Sequence, residues 1–176
     1  MQNKNTQEFD DIIRDIIENP KVQEMKKYRQ HYETSTFDHC YMVSYYCYKV
    51  CKKLKLDYKS AARAGMLHDF FLYDWRIKNG RKGLHAFTHG KKACENASEL
   101  FELSEKEKDM IIKHMWPVTP QFPKSKEGFI LTFIDKHCAL AEAIKVLKEN
   151  IHKKKIWRYA YIFLAMIILK INKGNN

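Results

Sequence analysis

Apolar residues recur at helical intervals along most of the chain. Ile12, Ile13, Ile16 and Ile17, for example, lie on one side of a helix that ends at Pro20. No stretch alternates apolar and polar residues as a half-buried strand does, and no glycine-rich phosphate loop or internal repeat is present. The pattern predicts eight helices: one ending at residues 19–20, then 22–32, 37–54, 59–68, 88–103, 104–114, 126–151 and 156–170. The sequence therefore predicts an all-α protein, a single-domain helical bundle.

Local signals support several of these boundaries. Thr88 is the predicted N-cap of its helix, and the Ser-x-x-Glu segment at Ser104–Glu107 has the form of a capping box. We expect three regions along the chain: an N-terminal helix that packs on the bundle, the bundle itself, and a basic and apolar C-terminal helix and tail. Their predicted ranges are 1–24, 25–151 and 152–176.

Composition and charge narrow the class of protein. The chain has 176 residues, of which 45% are apolar and 13% aromatic, enough for a real core. The net charge of +11 is uneven, because the last 32 residues carry +7 and the rest only +4. The basic character of the tail therefore gives no reason to expect a nucleic-acid groove in the body. Five cysteines without a repeating framework, and no secretory signal, predict a cytoplasmic protein.

The tail is open to two interpretations. Lys153, Lys154 and Lys155 precede eleven apolar residues at 159–169, a run too short for a bilayer, which needs about 20 residues. The first interpretation is a closing helix that packs on the bundle or on the partner subunit of a homodimer. The second is a peripheral membrane contact through 153–170, in which the basic flank meets anionic lipid. The apolar run argues against a nucleic-acid partner.

Histidine and aspartate residues near the ends of successive predicted helices are the candidate functional residues. Antiparallel packing would bring them together in the bundle interior, where helical proteins build metal sites. Imidazole and carboxylate groups are ligands for Fe, Mn, Co, Ni or Zn, and a carboxylate on an apolar helix face is costly unless it is paired or binds a metal. Two metals about 4 Å apart hold the attacking and leaving oxygens of a phosphoryl displacement. The candidates are His39, His68, Asp69, His89, His114 and Asp135.

The order His39, His68-Asp69, Asp135 resembles the HD-domain superfamily of metal-dependent phosphohydrolases, over roughly residues 25–147. The additional His89 and His114 resemble its dinuclear branch. The resemblance implies a helical bundle in which His39, His68, Asp69 and Asp135 hold one metal, while Asp69 bridges to a second held by His89 and His114. It implies two divalent ions, Fe or Mn ahead of Co, Ni, Zn or Mg. Asp69 and His68 would be catalytic.

The reaction implied by the resemblance is hydrolysis of a phosphoester or phosphoanhydride, with a nucleotide as the first choice of small-molecule substrate. A metal-bridging hydroxide would attack phosphorus. The same six ligands also serve a di-iron oxygenase in part of the superfamily, so an oxygenase is one alternative. A non-catalytic nucleotide-binding module is the other, and for His89 and His114 the alternative role is a capping or pocket histidine.

The sequence departs from the family pattern after the His-Asp pair. Many members continue with a glycine and a phosphate-binding lysine, whereas this chain continues with Phe70, Phe71, Leu72, Tyr73, Asp74 and Trp75. A phosphate partner must therefore come from elsewhere, and the basic candidates are Arg63, Lys91, Lys113, Arg81 and Lys82. His85 is either an exposed loop histidine or a substrate contact. Trp116 and the aromatic run are candidate stacking surfaces for a planar group.

Overall fold

The computed structural model describes residues 4–31, 34–77 and 83–173, with side chains except at 4, 31, 153, 156, 157 and 160–173. The elements in these ranges are helices apart from a short 3-10 turn at Glu24–Lys27 and one two-stranded hairpin, which confirms the all-α prediction. The helices are α1 (Lys4–Ile17), α2 (Pro20–Gln23), α3 (Thr36–Lys53), α4 (Tyr58–Leu67), α5 (His85–Leu100), α6 (Glu105–Lys113) and α7 (Lys126–Lys173). The strands are β1 (Arg29–His31) and β2 (Thr34–Ser35), which pair antiparallel.

The described chain divides into two compact units, Met1–Leu140 and Ala141–Asn176. In the first unit the N-terminal helix lies on α4 and buries Phe9, Ile13 and Ile16 in the core. These are apolar positions on one side of a helix, as the periodicity predicts. The boundary between the two units falls after residue 140, inside the region predicted as the bundle.

Helix α4 is the central element of the first unit, because it packs on α3, α6 and α1. The contact with α3 is close. A Cβ added at Gly65 would lie 2.8 Å from Ser44 Cα, so only glycine allows the two backbones to approach this far. Ser44 Oγ donates to the Ala62 carbonyl at 2.6 Å across the same contact. This approach brings the first turn of α3 and the end of α4 together.

Three predicted boundaries differ from the structure. The helix predicted over 22–32 is wrong, since the helical turns end at Lys27 and Tyr28 is extended, leading into β1. Thr88 is not an N-cap: α5 already begins at His85, and Thr88 Oγ1 donates to the Leu84 carbonyl within the first turn. The capping box at Ser104 is confirmed.

The third difference concerns the C-terminal half. The helices predicted over 126–151 and 156–170 are a single helix, because lysine is a good helix former and the run at 153–155 does not interrupt it. The second unit consists of the later part of this helix, and the apolar side chains from 160 onwards lie outside those described. No helix in the described ranges is long and apolar enough to cross a bilayer.

Candidate metal centre

The six predicted ligand residues lie together in the first unit, five of them at or near the ends of its helices. His39 is in the first turn of α3, His68 is the C-cap of α4 with Asp69 directly after it, and His89 is in the second turn of α5. His114 is the C-cap of α6 and Asp135 lies in α7. All six are buried, with at most 8% of the residue surface exposed.

One half of the cluster is formed by α3, α4 and α7. His39 Nε2 lies 3.1 Å from Asp135 Oδ1. His68 Nε2 lies 3.6 Å from the same oxygen and 3.5 Å from Asp69 Oδ2. Two imidazole nitrogens and two carboxylates therefore face one point from three different helices.

The other half is formed by α5 and α6 with Asp69. His89 Nε2 lies 3.1 Å, and His114 Nε2 3.6 Å, from Asp69 Oδ1. The two Nε2 atoms are 2.8 Å from each other. Asp69 thus presents one carboxylate oxygen towards each half of the cluster.

Three of the histidines are oriented by their own helices. The Nδ1 atoms of His68, His89 and His114 lie 2.8, 2.7 and 2.8 Å from the carbonyl oxygens of Gly65, His85 and Ile111, three or four residues earlier. A carbonyl only accepts, so each Nδ1 carries the proton. In the neutral ring, the form that binds a metal ion, this tautomer directs the lone pair of Nε2 into the cluster, as in metal-binding histidines.

The donor set fits metal ions. His68 Nε2 and Asp69 Oδ1 are buried and have no hydrogen bond of acceptable geometry in the described part of the chain. Unsatisfied buried polar atoms are costly, and two Nε2 lone pairs at 2.8 Å repel each other unless a proton or a metal ion is shared between them. Three overlapping trios place their ligand atoms within 4.8 Å of one another. The trios are His39, His68 and Asp69; His68, His114 and Asp135; and Asp69, His89 and His114.

The electrostatics keep the carboxylates ionised. Burial favours the neutral acid, but His68 and His89 outweigh it and hold the pKa of Asp69 well below its ordinary value. Burial is likewise outweighed at Asp135, where His39 and His68 lower the pKa. Burial, together with the charge of His89, lowers the pKa of His114 to about 3, so this imidazole is neutral near pH 7.

Gln30 is a part of the site that the sequence did not reveal. Its Nε2 donates to Asp69 Oδ2, and its own Oε1 accepts from Thr36 Oγ1 at 3.4 Å. The Gln30 backbone oxygen accepts from Trp75 Nε1 at 3.2 Å. Strand β1 therefore delivers an amide that fixes the orientation of the central carboxylate, a role that no spacing rule predicts.

We expect Gln30→Met to weaken metal binding by about 10- to 100-fold, the usual effect of removing a hydrogen bond to a ligand. Methionine keeps the length and buried volume but does not donate to Asp69. The measurement is a competitive Mn²⁺ titration against a fluorescent chelator. Gln121→Met, at an exposed position, is the matched control, and an unchanged affinity in Gln30→Met would show that Asp69 does not depend on this donor.

A cavity of about 660 Å³ opens beside the cluster. Asp69, His89, His114 and Asp135 line it. Its lining also includes the rings of Tyr73, Trp75 and His85 and the apolar side chains of Leu84, Ala86, Met115, Val118 and Ala139. The volume is in the range of small-molecule sites.

Lys136 also lines this cavity, and sequence reasoning missed it. Its Nζ donates to the carbonyl oxygens of His114 at 3.0 Å and Thr132 at 3.4 Å. Burial lowers the pKa of this ammonium, and the carboxylates of Asp135 and Asp69 act in the opposite direction. Lys136 directly follows Asp135 on an apolar helix. No sequence motif distinguishes it from the other lysines and arginines, of which the chain has 32 in total.

Of the other predicted substrate contacts, His85 lies at the cavity. Its ring stacks on Trp75 with centroids 5.5 Å apart, and Tyr73 Oη is 3.2 Å from its Nδ1. The exposed-loop interpretation of His85 is wrong, because the residue is half-buried in the first turn of α5. The stacking role expected for Phe70 and Phe71 is also wrong, since both are buried in the interior.

Arg63, Lys91, Lys113 and Trp116 are not among the described residues that line the cavity. Arg63 joins three helices, with ion pairs to Asp15 at 2.8 Å and Glu107 at 3.4 Å. Lys113 pairs with Asp109 at 2.5 Å, Lys91 is exposed on α5, and Trp116 packs edge-on against Phe129. Arg81 and Lys82 lie outside the described residues.

A family model described as HD domain matches residues 36–140, the stretch that carries His39 through Asp135. No curated protein and no solved structure matches the chain.

Proposed function

The chain belongs to the HD domain family, whose members are generally metal-dependent hydrolases, and from this premise we propose that it is a dinuclear phosphohydrolase. The observation that carries the proposal is the geometry of Asp69. One of its oxygens faces His68 and the other faces His89 and His114. A carboxylate with nitrogen ligands on both sides is suited to bridging two ions.

His39, His68, Asp69 and Asp135 would hold the first ion. Asp69, His89 and His114 would hold the second, and Fe or Mn are our first choices because both accept imidazole and carboxylate ligands. When bound, such ions supply positive charge for phosphoryl oxygens and lower the pKa of coordinated water.

The chain's own residues prepare this chemistry. The carbonyls of Gly65, His85 and Ile111 hold the Nδ1 protons, so that the imidazoles need no reorientation. Gln30 fixes the Asp69 carboxylate. Apolar walls beside the cluster exclude water from the leaving group, which strengthens every charge interaction in the site. We propose that the substrate is a phosphoester or phosphoanhydride.

The test is turnover of a broad substrate panel. Protein purified without chelator or oxygen and loaded with Mn²⁺ or Fe²⁺ is expected to release phosphate from at least one class of phosphomonoester, phosphodiester or nucleotide. His68→Ala is expected to release none, because it removes a buried ligand. A panel left intact by both proteins would overturn the proposal, and uptake of dioxygen with a substrate would instead indicate an oxygenase.

A further inference from the structure

The residues that line the cavity are of two chemical kinds. Four of them are ligand residues of the cluster, and Lys136 directly follows one of these, Asp135, in α7. Rings and aliphatic side chains make up most of the others. A ligand that matches both kinds carries a negative charge together with an apolar or planar body.

Lys136 has the features of an anion contact. Two of the three donors of its ammonium group go to the uncharged carbonyls of His114 and Thr132, and these leave one donor for a further acceptor. These two bonds also hold Nζ beside the metal ligands. Arg63 and Lys113, in contrast, are tied to carboxylates.

The ring pair beside the ligand His89, on which His85 stacks with centroids 4.5 Å apart, is suited to a flat group. Trp75 and His85 are stacked nearly parallel, with 13° between their planes, and the indole is held by its bond to the Gln30 carbonyl. A fixed ring presents area to a ligand at little cost in side-chain entropy. Leu84, Met115 and Val118 add aliphatic surface.

We propose that the substrate is a phosphomonoester with an aromatic or apolar leaving group, whose phosphoryl group is bound by Lys136. This inference rests on the proposed function. The lysine takes the place of the phosphate-binding lysine that the chain lacks after the His-Asp pair. A polyphosphate would bring several negative charges to a cavity in which Lys136 is the one basic side chain among the described lining residues. A nucleoside monophosphate remains within this class, and a nucleoside triphosphate does not.

Binding tests the assignment without turnover. Titration calorimetry with 1-naphthylmethylphosphonate, which is not hydrolysed, is carried out on the metal-loaded protein. We expect the dissociation constant to rise about 10- to 100-fold in Lys136→Met, which keeps the length and loses the charge. Lys136→Arg should recover most of the affinity, and Lys92→Met, an exposed cation of α5, should bind as the wild type does.

Metal content and melting temperature show whether Lys136 binds the substrate or only stabilises the structure of the site. Both are expected to be unchanged in Lys136→Met, because the lysine contacts backbone oxygens and no metal ligand side chain. Unchanged phosphonate affinity in Lys136→Met would overturn the assignment. So would an affinity that falls only in proportion to lost metal.

The leaving-group preference is measured by kcat/KM for three substrates. We expect 1-naphthyl phosphate to exceed glycerol 3-phosphate and ATP by about tenfold or more, since burial of a ring of this size is worth more than one factor of ten. A preference for ATP would overturn the inference while leaving the phosphohydrolase proposal intact. Binding of the phosphonate that depends on Lys136, without turnover of any phosphoester, would support the inferred binding site and overturn the phosphohydrolase proposal.

Discussion

Asp69→Asn is expected to lower kcat about a thousandfold and to reduce the bound metal from two ions per chain to one or fewer. The carboxylate contacts both halves of the cluster, with an oxygen 3.1 Å from His89 Nε2 and another 3.5 Å from His68 Nε2. Asparagine has nearly the same shape but no charge, and an amide nitrogen does not bind a divalent ion. A thousandfold loss corresponds to about 4 kcal/mol of transition-state stabilisation.

Metal content by inductively coupled plasma mass spectrometry and turnover of the best phosphoester are measured on the same preparation. Asp74→Asn is the matched control, because Asp74 lies five residues further along and pairs with Arg76 at 2.9 Å. It should retain both ions and full activity. Two ions per chain and wild-type turnover in Asp69→Asn would show that Asp69 does not bridge.

The chain order of the ligands made the six-residue cluster predictable. His68 and His114 each cap a helix, His39 and His89 lie in first or second turns, and Asp135 interrupts an apolar face. Residues at helix ends in a bundle of short helices meet at one end of the bundle. The prediction therefore needed only the order of the helices and not their exact bounds.

The residues around the cluster could not be predicted, because their positions depend on the exact bounds of the elements and on how these pack. Gln30 reaches Asp69 only because the chain leaves its helix at Lys27 and forms β1, a change set by tertiary contacts and not by local propensity. Arg63 was a candidate phosphate contact because basic residues share one chemistry in sequence. Its buried partner Glu107 is 44 positions away, and pairing at that distance depends on how α4 and α6 pack.

The packing of α5 on α6 depends on Gly90, which has no side chain. A Cβ at Gly90 would lie 2.9 Å from the Ile112 oxygen, closer than real Cβ contacts, and 3.0 Å from the Ile111 oxygen, tighter than most of them. Both atoms belong to the backbone, so α6 itself would have to move. The Ile111 oxygen is also the acceptor that orients His114.

We therefore expect Gly90→Ala to lower the free energy of unfolding by about 1–3 kcal/mol, as overpacking of a core does. At an uncrowded helix position the same substitution stabilises by about 0.5–1 kcal/mol, so the sign itself identifies the close contact. Separation of α5 from α6 also moves His89 away from His114, and we expect the chain to lose one of the two proposed ions before the other.

Urea unfolding of the metal-free protein gives the first quantity, and stepwise metal titration of the folded protein gives the second. Ser98→Ala, at an exposed position on the same helix, is the control and should change neither by much. A stabilised Gly90→Ala would mean that α5 and α6 lie further apart than a distance of 2.9 Å between this Cβ and the Ile112 oxygen requires. Loss of stability with two ions still bound at equal affinity would mean that the second half of the cluster tolerates movement of α6, and that Asp69 and His89 alone suffice to hold the second ion.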